Sequence, residues 1–194
     1  MSKKPKIYTR SGDHGMTSLF TGERVAKSDK NITALGDIDE CNSALGLALA
    51  WLPKEYPFDL IREQLDQVQR ALFELGAAVA TPRTRAPEAK LSRTRFGHEA
   101  TSQLEEWIDQ LVEGLPPLTH FILPSGHPAA AALHLARSIC RRAERSSQLL
   151  VEEVSQEVLV YLNRLSDYLF TLARQVNQLA GTQELIWVAS TSDL

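Results

Sequence analysis

The chain has 194 residues, 43% of them hydrophobic and 23% charged, with a formal net charge of −3. That length predicts one domain able to bury a sizeable core, and the near-balanced charge argues against a dedicated nucleic-acid or membrane-surface protein. Its two cysteines, Cys41 and Cys140, form no CxxC pair, which excludes a disulfide scaffold or a cysteine-based zinc site and suits a reducing compartment. No apolar run approaches membrane-spanning length and MSKKPKIYTR lacks the apolar core of a signal peptide, so the expected location is cytoplasmic, with no membrane partner.

Residues 1–30 carry Gly12, Gly15 and Gly22 among hydroxyl and charged residues, without helical or strand periodicity. They read as an ordered loop with a short strand at residues 7–9. A first helix is expected from Ser28 or Asp29, both good N-caps, to about Trp51, with Ile32, Leu35, Ile38, Leu45 and Leu49 on its apolar stripe. A second follows Pro53 and Pro57, where Ile61, Leu65, Val68, Leu72, Leu75 and Val79 recur at three- and four-residue steps. Residues 81–95 read as a mobile surface loop. A third helix covers about 98–113, with Leu104, Trp107, Ile108 and Leu111 inward, and ends at Pro116-Pro117. An extended piece at 120–123 leads through Pro124-Ser125-Gly126 into a fourth helix running to about Val151. A fifth spans about Gln156–Leu179, and a tail follows Gly181. The fold class is therefore all-α: an antiparallel five-helix bundle over 28–180, an ordered glycine-rich loop at 1–30 and a tail at 181–194.

Two helices carry more than core residues. On the fourth, Ala129, Leu133, Ala136, Cys140, Ala143, Ser147 and Leu150 share one face. Arg137, Arg141 and Arg145 occupy successive turns of the other, with Arg142 beside them and Glu144 the one acid among them. A solvated basic face is the plain reading. Like charges four residues apart repel, however, and arginine's planar fork suits phosphate oxygens, so such a row fits a polyanion or opposing carboxylates. On the fifth helix Asn163, Asp167 and Arg174 form a polar row flanked by Leu159, Val160 and Phe170, as in a cleft or subunit interface. Asp37, Asp39 and Glu40 on the first helix are available acids.

The decapeptide from Thr9 to Ser18 combines two glycines with four hydroxyls, and Lys27 follows shortly after. Glycines let several N–H groups face one anion; a turn-rich N-terminal arm is the alternative. Neither a Walker A order nor a GxGxxG fingerprint is present. None of the five histidines follows a glutamate by three residues, which excludes the helical di-iron pattern. His120, His127 and His134 lack metal-ligand spacing and read as surface or site-lining groups. No GxSxG elbow exists, and no nucleophile or general base stands out.

TRSGDHGMTSLFTGERVAK, FILPSG, ARSICRRAER and YLNRLSDYLFTLAR occur here in this order. In that respect, over about residues 5–180, the chain resembles the PduO-type ATP:cob(I)alamin adenosyltransferases. The resemblance implies a homotrimer of five-helix bundles with ATP bound between subunits. Thr9, Arg10, Ser11, Gly12, Thr17, Ser18 and Lys27 would cradle ATP. Arg141, Arg142, Ala143, Glu144 and Arg145 would form the fourth-helix part of the site, with Asn163 from the fifth. Arg137 would pair with Asp39 across the subunit boundary, and Phe121 would line the corrinoid pocket and help keep the lower axial ligand off cobalt. Mg²⁺ is expected through the ATP phosphates rather than on a protein metal site. A corrinoid reductase and an adenosylcobalamin-dependent acceptor enzyme are the expected protein partners. The departure from many relatives is His127-Pro128 after Ser125-Gly126. The competing readings are a nucleotide hydrolase or kinase-like enzyme and a non-catalytic ATP or cobalamin carrier or sensor.

Overall fold

The structure is a computed structural model that describes residues 7–188; the ends of the expected loop and tail, residues 1–6 and 189–194, lie outside the described residues. Two short strands, β1 (Met16–Ser18) and β2 (Arg24–Ala26), precede six helices: α1 (Lys30–Trp51), α2 (Phe58–Val79), α3 (Glu88–Leu91), α4 (Glu99–Gly114), α5 (Pro128–Gln148) and α6 (Gln156–Leu179). The expected count was five. The extra helix is the single turn α3, inside the stretch expected to be a mobile loop.

Local chemistry sets the helix ends. Asp29 caps α1 by accepting from the Asn31 N–H at 2.8 Å, which satisfies one of the donors a helix start leaves open. His127 does the same for α5, its Nδ1 accepting from the Ala129 N–H at 3.2 Å, with Pro128 at the first helical position. His127 also stacks on Phe58. The turn before it is pinned by Asn177, whose Oδ1 accepts from the His127 N–H at 2.9 Å and whose Nδ2 donates to the Ser125 carbonyl at 3.2 Å. Gly126, at φ +98°, is required there: a Cβ would stand 2.2 Å from Asn177 Oδ1.

The long helices neighbour one another in the order α2, α1, α5, α6, α4, and α2 also touches α6. The α1–α5 contact joins two helices that contribute many small buried side chains, Ala34, Cys41, Ala44 and Ala48 from α1 and Ala129, Ala132, Ala136 and Cys140 from α5. Small residues let the two backbones approach closely. Cys41 Sγ reaches the Ala136 carbonyl and Cys140 Sγ the Leu162 carbonyl, and both thiols are free and buried. Around α6, Leu162, Leu165, Leu169 and Leu172 are fully buried, each worth about 1.5–3 kcal/mol in removal of apolar surface from water. No helix among the described residues is long and apolar enough to cross a membrane.

Residues 81–95 are tied down instead of loose. The Arg83 N–H donates to the Glu153 carbonyl at 2.7 Å, and the Glu153 carboxylate receives both Lys30 at 2.9 Å and Arg85 at 3.0 Å. Burial pushes the Glu153 pKa upward, but hydrogen bonds from Lys30 and Arg85 outweigh it and the net shift is downward. A carboxylate with a depressed folded pKa stabilises above its unfolded pKa and loses that contribution as pH falls through the folded value. The urea midpoint advantage of the native chain over Glu153→Gln should therefore be constant at neutral pH and shrink as pH drops below the ordinary value of 4.5. An advantage independent of pH down to 3 would show that the ion pairs contribute nothing.

Candidate active site

The N-terminal segment is a hairpin rather than a bare loop. Antiparallel pairing of Met16 with Ala26 and Ser18 with Arg24 turns the chain back on itself, so that Lys27 returns beside the first glycines. The Lys27 N–H donates to the Gly15 carbonyl at 2.8 Å, and Lys27 Nζ lies 3.4 Å from the place a Cβ on Gly12 would take. Residues 7–9, expected as a strand, pair with no strand among the described residues, and Ile7 is fully exposed. Thr9 Oγ1 and Ser11 Oγ lie 2.8 Å apart. Arg10 between them has φ +61°, a left-handed backbone that costs a non-glycine residue about 1 kcal/mol. Arg24, which sequence reasoning passed over, links the two halves of the loop by donating to the Ser11 carbonyl at 2.8 Å and to Ser18 Oγ at 3.4 Å. Only the hairpin register reveals it.

On α5, Arg137, Arg141 and Arg145 carry no ion pair among the described residues. Arg70, Arg85, Arg164 and Arg174, by contrast, all hold carboxylates. Arg141 and Arg145 are exposed. Arg137 is half-buried with its guanidinium over the Phe170 ring at 5.9 Å, and its Nε is buried without a hydrogen-bond partner. Burial, followed by the nearby Arg141 charge, lowers its pKa. His134, expected as a surface or site-lining group, is only 3% exposed. It lies edge-on to Phe170, with both ring nitrogens unpartnered. Burial and then Arg137 push its pKa down, so it is neutral at physiological pH.

The remaining residues of the arginine segment have separate places. Arg142 is committed to α1, donating through Nε to Asp37 at 3.1 Å and through a second nitrogen to Glu40. Glu144 accepts from Asn163 Nδ2 at 2.9 Å, which joins the two at a polar α5–α6 surface. Ala143 is fully buried; its methyl group packs in the core and does not line the arginine face. Asp39 is exposed and holds no ion pair among the described residues. The polar row of α6 is split: Asp167 pairs with Arg164 at 3.1 Å, while Arg174 grips Glu184 at 2.9 Å and the Pro116 carbonyl at 2.9 Å. Among the described residues, no hydrogen bond joins residues 9–27 to α5.

A third surface lies beyond α4. Ile122 bridges Ile186 antiparallel, the Leu123 N–H donates to the Leu185 carbonyl at 2.8 Å, and the Trp187 N–H donates to the Phe121 carbonyl at 2.8 Å. The extended piece expected at 120–123 thus has a partner in the tail. Phe121 is 78% exposed and lies edge-on to Trp187.

The profile of the cobalamin adenosyltransferase family matches residues 7–176. The chain belongs to that family. It is 47% identical over 188 residues to the corrinoid adenosyltransferase MMAB of Bos taurus, covering 95% of this chain and 77% of the relative. It is 45% identical over 179 residues to the corrinoid adenosyltransferase of Mycobacterium leprae (strain TN), covering 89% and 91%. Among solved structures, it is similar to a variant PduO-type ATP:corrinoid adenosyltransferase from Lactobacillus reuteri complexed with cobalamin and ATP, with a TM-score of 0.85, 36% identity and coverage of 95% and 100%. The family match takes in the hairpin, the α5 arginines and Asn163. The tail segment that bridges residues 121–123 lies past its end.

Proposed function

We propose that this adenosyltransferase works at a site shared between subunits, joining the 5′-deoxyadenosyl group of ATP to the cobalt of cob(I)alamin and releasing triphosphate. The observation that carries the site assignment is the α5 row, three guanidiniums on successive turns with no carboxylate paired to them among the described residues. A triphosphate is the polyanion that such a row fits. In this reading Thr9, Arg10, Ser11, Gly12, Thr17, Ser18 and Lys27 hold ATP from the hairpin side, with Arg141, Arg145, Glu144 and Asn163 opposite. Arg142 acts from behind by tying α5 to α1.

Because no hydrogen bond among the described residues joins the hairpin to α5 within one protomer, the reading includes a homotrimer in which the hairpin of one five-helix bundle meets α5 and α6 of the next. The unpartnered Arg137 Nε supports it: Asp39 of the partner subunit would supply the missing acceptor. A half-buried guanidinium whose Nε has no acceptor is destabilising until such a partner satisfies it. The whole chain then acts as one adenosyltransferase domain, and its reduced cysteines fit the cytoplasm.

The chemistry needs no base from the protein. Cobalt(I) donates its electron pair to C5′, the C5′–O bond breaks, and the oxygen of the leaving triphosphate keeps that bonding pair. Cobalt supplies the nucleophile; the chain aligns it, an advantage that reaches as much as about 7 kcal/mol in well-oriented systems. The arginines, with Mg²⁺ arriving on the phosphates, stabilise the charge growing on the leaving group. Phe121 presents an apolar face to the corrinoid, disfavouring water and the lower ligand.

Anaerobic mixing of the protein with chemically generated cob(I)alamin and MgATP tests this. A light-sensitive adenosylcobalamin spectrum with one triphosphate per corrinoid is the expected result. Orthophosphate or ADP release without corrinoid would instead establish a hydrolase or kinase-like enzyme, and tight binding without turnover a carrier or sensor.

A further inference from the structure

A two-stranded ribbon with three residues per strand is marginal in water on its own, yet the β1–β2 hairpin carries Thr17 and Ser18 and returns Lys27 to the glycines. Something outside the hairpin holds it. Three parts of the turn joining its strands are fastened to residues 80–90. The Phe20 N–H donates to the Ala80 carbonyl at 3.0 Å. Lys90 Nζ donates to the carbonyls of Phe20 at 3.1 Å and Thr21 at 2.8 Å, and lies over the Phe20 ring. Arg85 donates to both oxygens of Glu23, at 3.0 and 3.2 Å.

Arg85 does more than hold the turn. Its other terminal nitrogen donates to Asn31 Oδ1 at 3.0 Å and to Glu153 Oε2 at 3.0 Å. One guanidinium therefore registers the hairpin against the first turn of α1 and the connection between α5 and α6. Asn31 is itself buried and donates to the Val79 carbonyl at 3.3 Å. Burial would weaken the Arg85 charge, but Glu153 and Glu23 outweigh it and its pKa moves up. A lysine keeps the charge but has no planar fork to reach both sides.

We propose that residues 80–90 form a strap that fixes the nucleotide-binding hairpin, with Arg85 as a positioning residue for ATP. This rests on the assignment of the hairpin to ATP made above. Arg85 touches neither substrate in this scheme; it sets where the hydroxyls of β1 and Lys27 stand when ATP arrives, so its loss should weaken ATP binding selectively.

The test varies MgATP and cob(I)alamin separately for the native trimer-competent chain and Arg85→Ala, with thermal melting to verify folding. In Arg85→Ala the KM for MgATP should rise about tenfold, while kcat at saturating MgATP and KM for cob(I)alamin stay within about twofold. The calorimetric Kd for MgATP should rise in step. If Arg85→Ala does not fold, Arg85→Lys should still raise the MgATP KM at least about threefold. Unchanged ATP affinity, or an equal loss for both substrates, would overturn the strap. Should the native chain bind MgATP but transfer nothing, the function fails while the calorimetric comparison still decides the strap.

Discussion

Arg141→Ala should lower kcat by about 100- to 1000-fold, the loss seen when one preorganised donor to a developing anion is removed. Arg141 sits in the middle of the unpaired α5 row, one turn from Arg137 and one from Arg145, and its guanidinium is exposed with no ion pair among the described residues. Its removal therefore breaks no hydrogen bond or ion pair among the described residues, and an unchanged melting temperature separates lost turnover from lost folding. It should even relieve repulsion along the helix, by a few tenths of a kcal/mol. A melting temperature equal to or slightly above that of the native chain, with turnover nearly abolished, is the signature of a group kept for the ligand. Because negative charge on triphosphate grows as C5′–O breaks, kcat should fall more than ATP affinity. Rapid mixing with cob(I)alamin and MgATP measures the first and calorimetry the second. An Arg141→Ala chain with native turnover would remove the α5 row from the active site.

Neighbouring Arg142 illustrates why a sequence motif gives position more readily than role. Four arginines within nine residues are visible in the sequence, and their four-residue spacing singles out Arg137, Arg141 and Arg145. That Arg142 is bound to Asp37 and Glu40 depends on how α1 lies against α5, which no local pattern encodes. The helices themselves were legible because their apolar periodicity and ends are local: Asp29, Pro57, Pro124-Ser125-Gly126 and the run from Ile61 to Val79 mark ends and faces directly. The hairpin was not. Its strands are too short to show alternation, and its stability comes from Arg85 and Lys90, more than 60 residues downstream. The same distance hid α3 and the anchoring of residues 81–95, whose charge and prolines suggest mobility until their partners are known. Likewise, the tail is held by contacts the sequence does not announce, residues 185–187 pairing with 121–123 and Glu184 receiving Arg174, and His134 looks like any surface histidine until Phe170 covers it.

Phe121→Ala should leave the fold and MgATP affinity intact while impairing the corrinoid half of the reaction. The ring is largely exposed and its main neighbour is Trp187, whereas the extended pairing with the tail runs through the Phe121 backbone carbonyl, which alanine retains. Little stability is at stake. When a corrinoid covers the ring, the phenyl group supplies apolar contact worth about 2 kcal/mol, so truncation should raise KM for cobalamin by about tenfold or more. The larger loss should come with cob(II)alamin and a reductant as the starting point. If the ring displaces water and the lower ligand from cobalt, its removal leaves cob(II)alamin harder to reduce, a defect that chemically generated cob(I)alamin bypasses. The two assays therefore separate the roles: turnover from cob(II)alamin should fall several-fold further than turnover from cob(I)alamin. Equal losses in both would mean that Phe121 contributes contact area alone. No loss in either would mean that the corrinoid lies elsewhere on the molecule, away from the paired segments at 121–123 and 185–187.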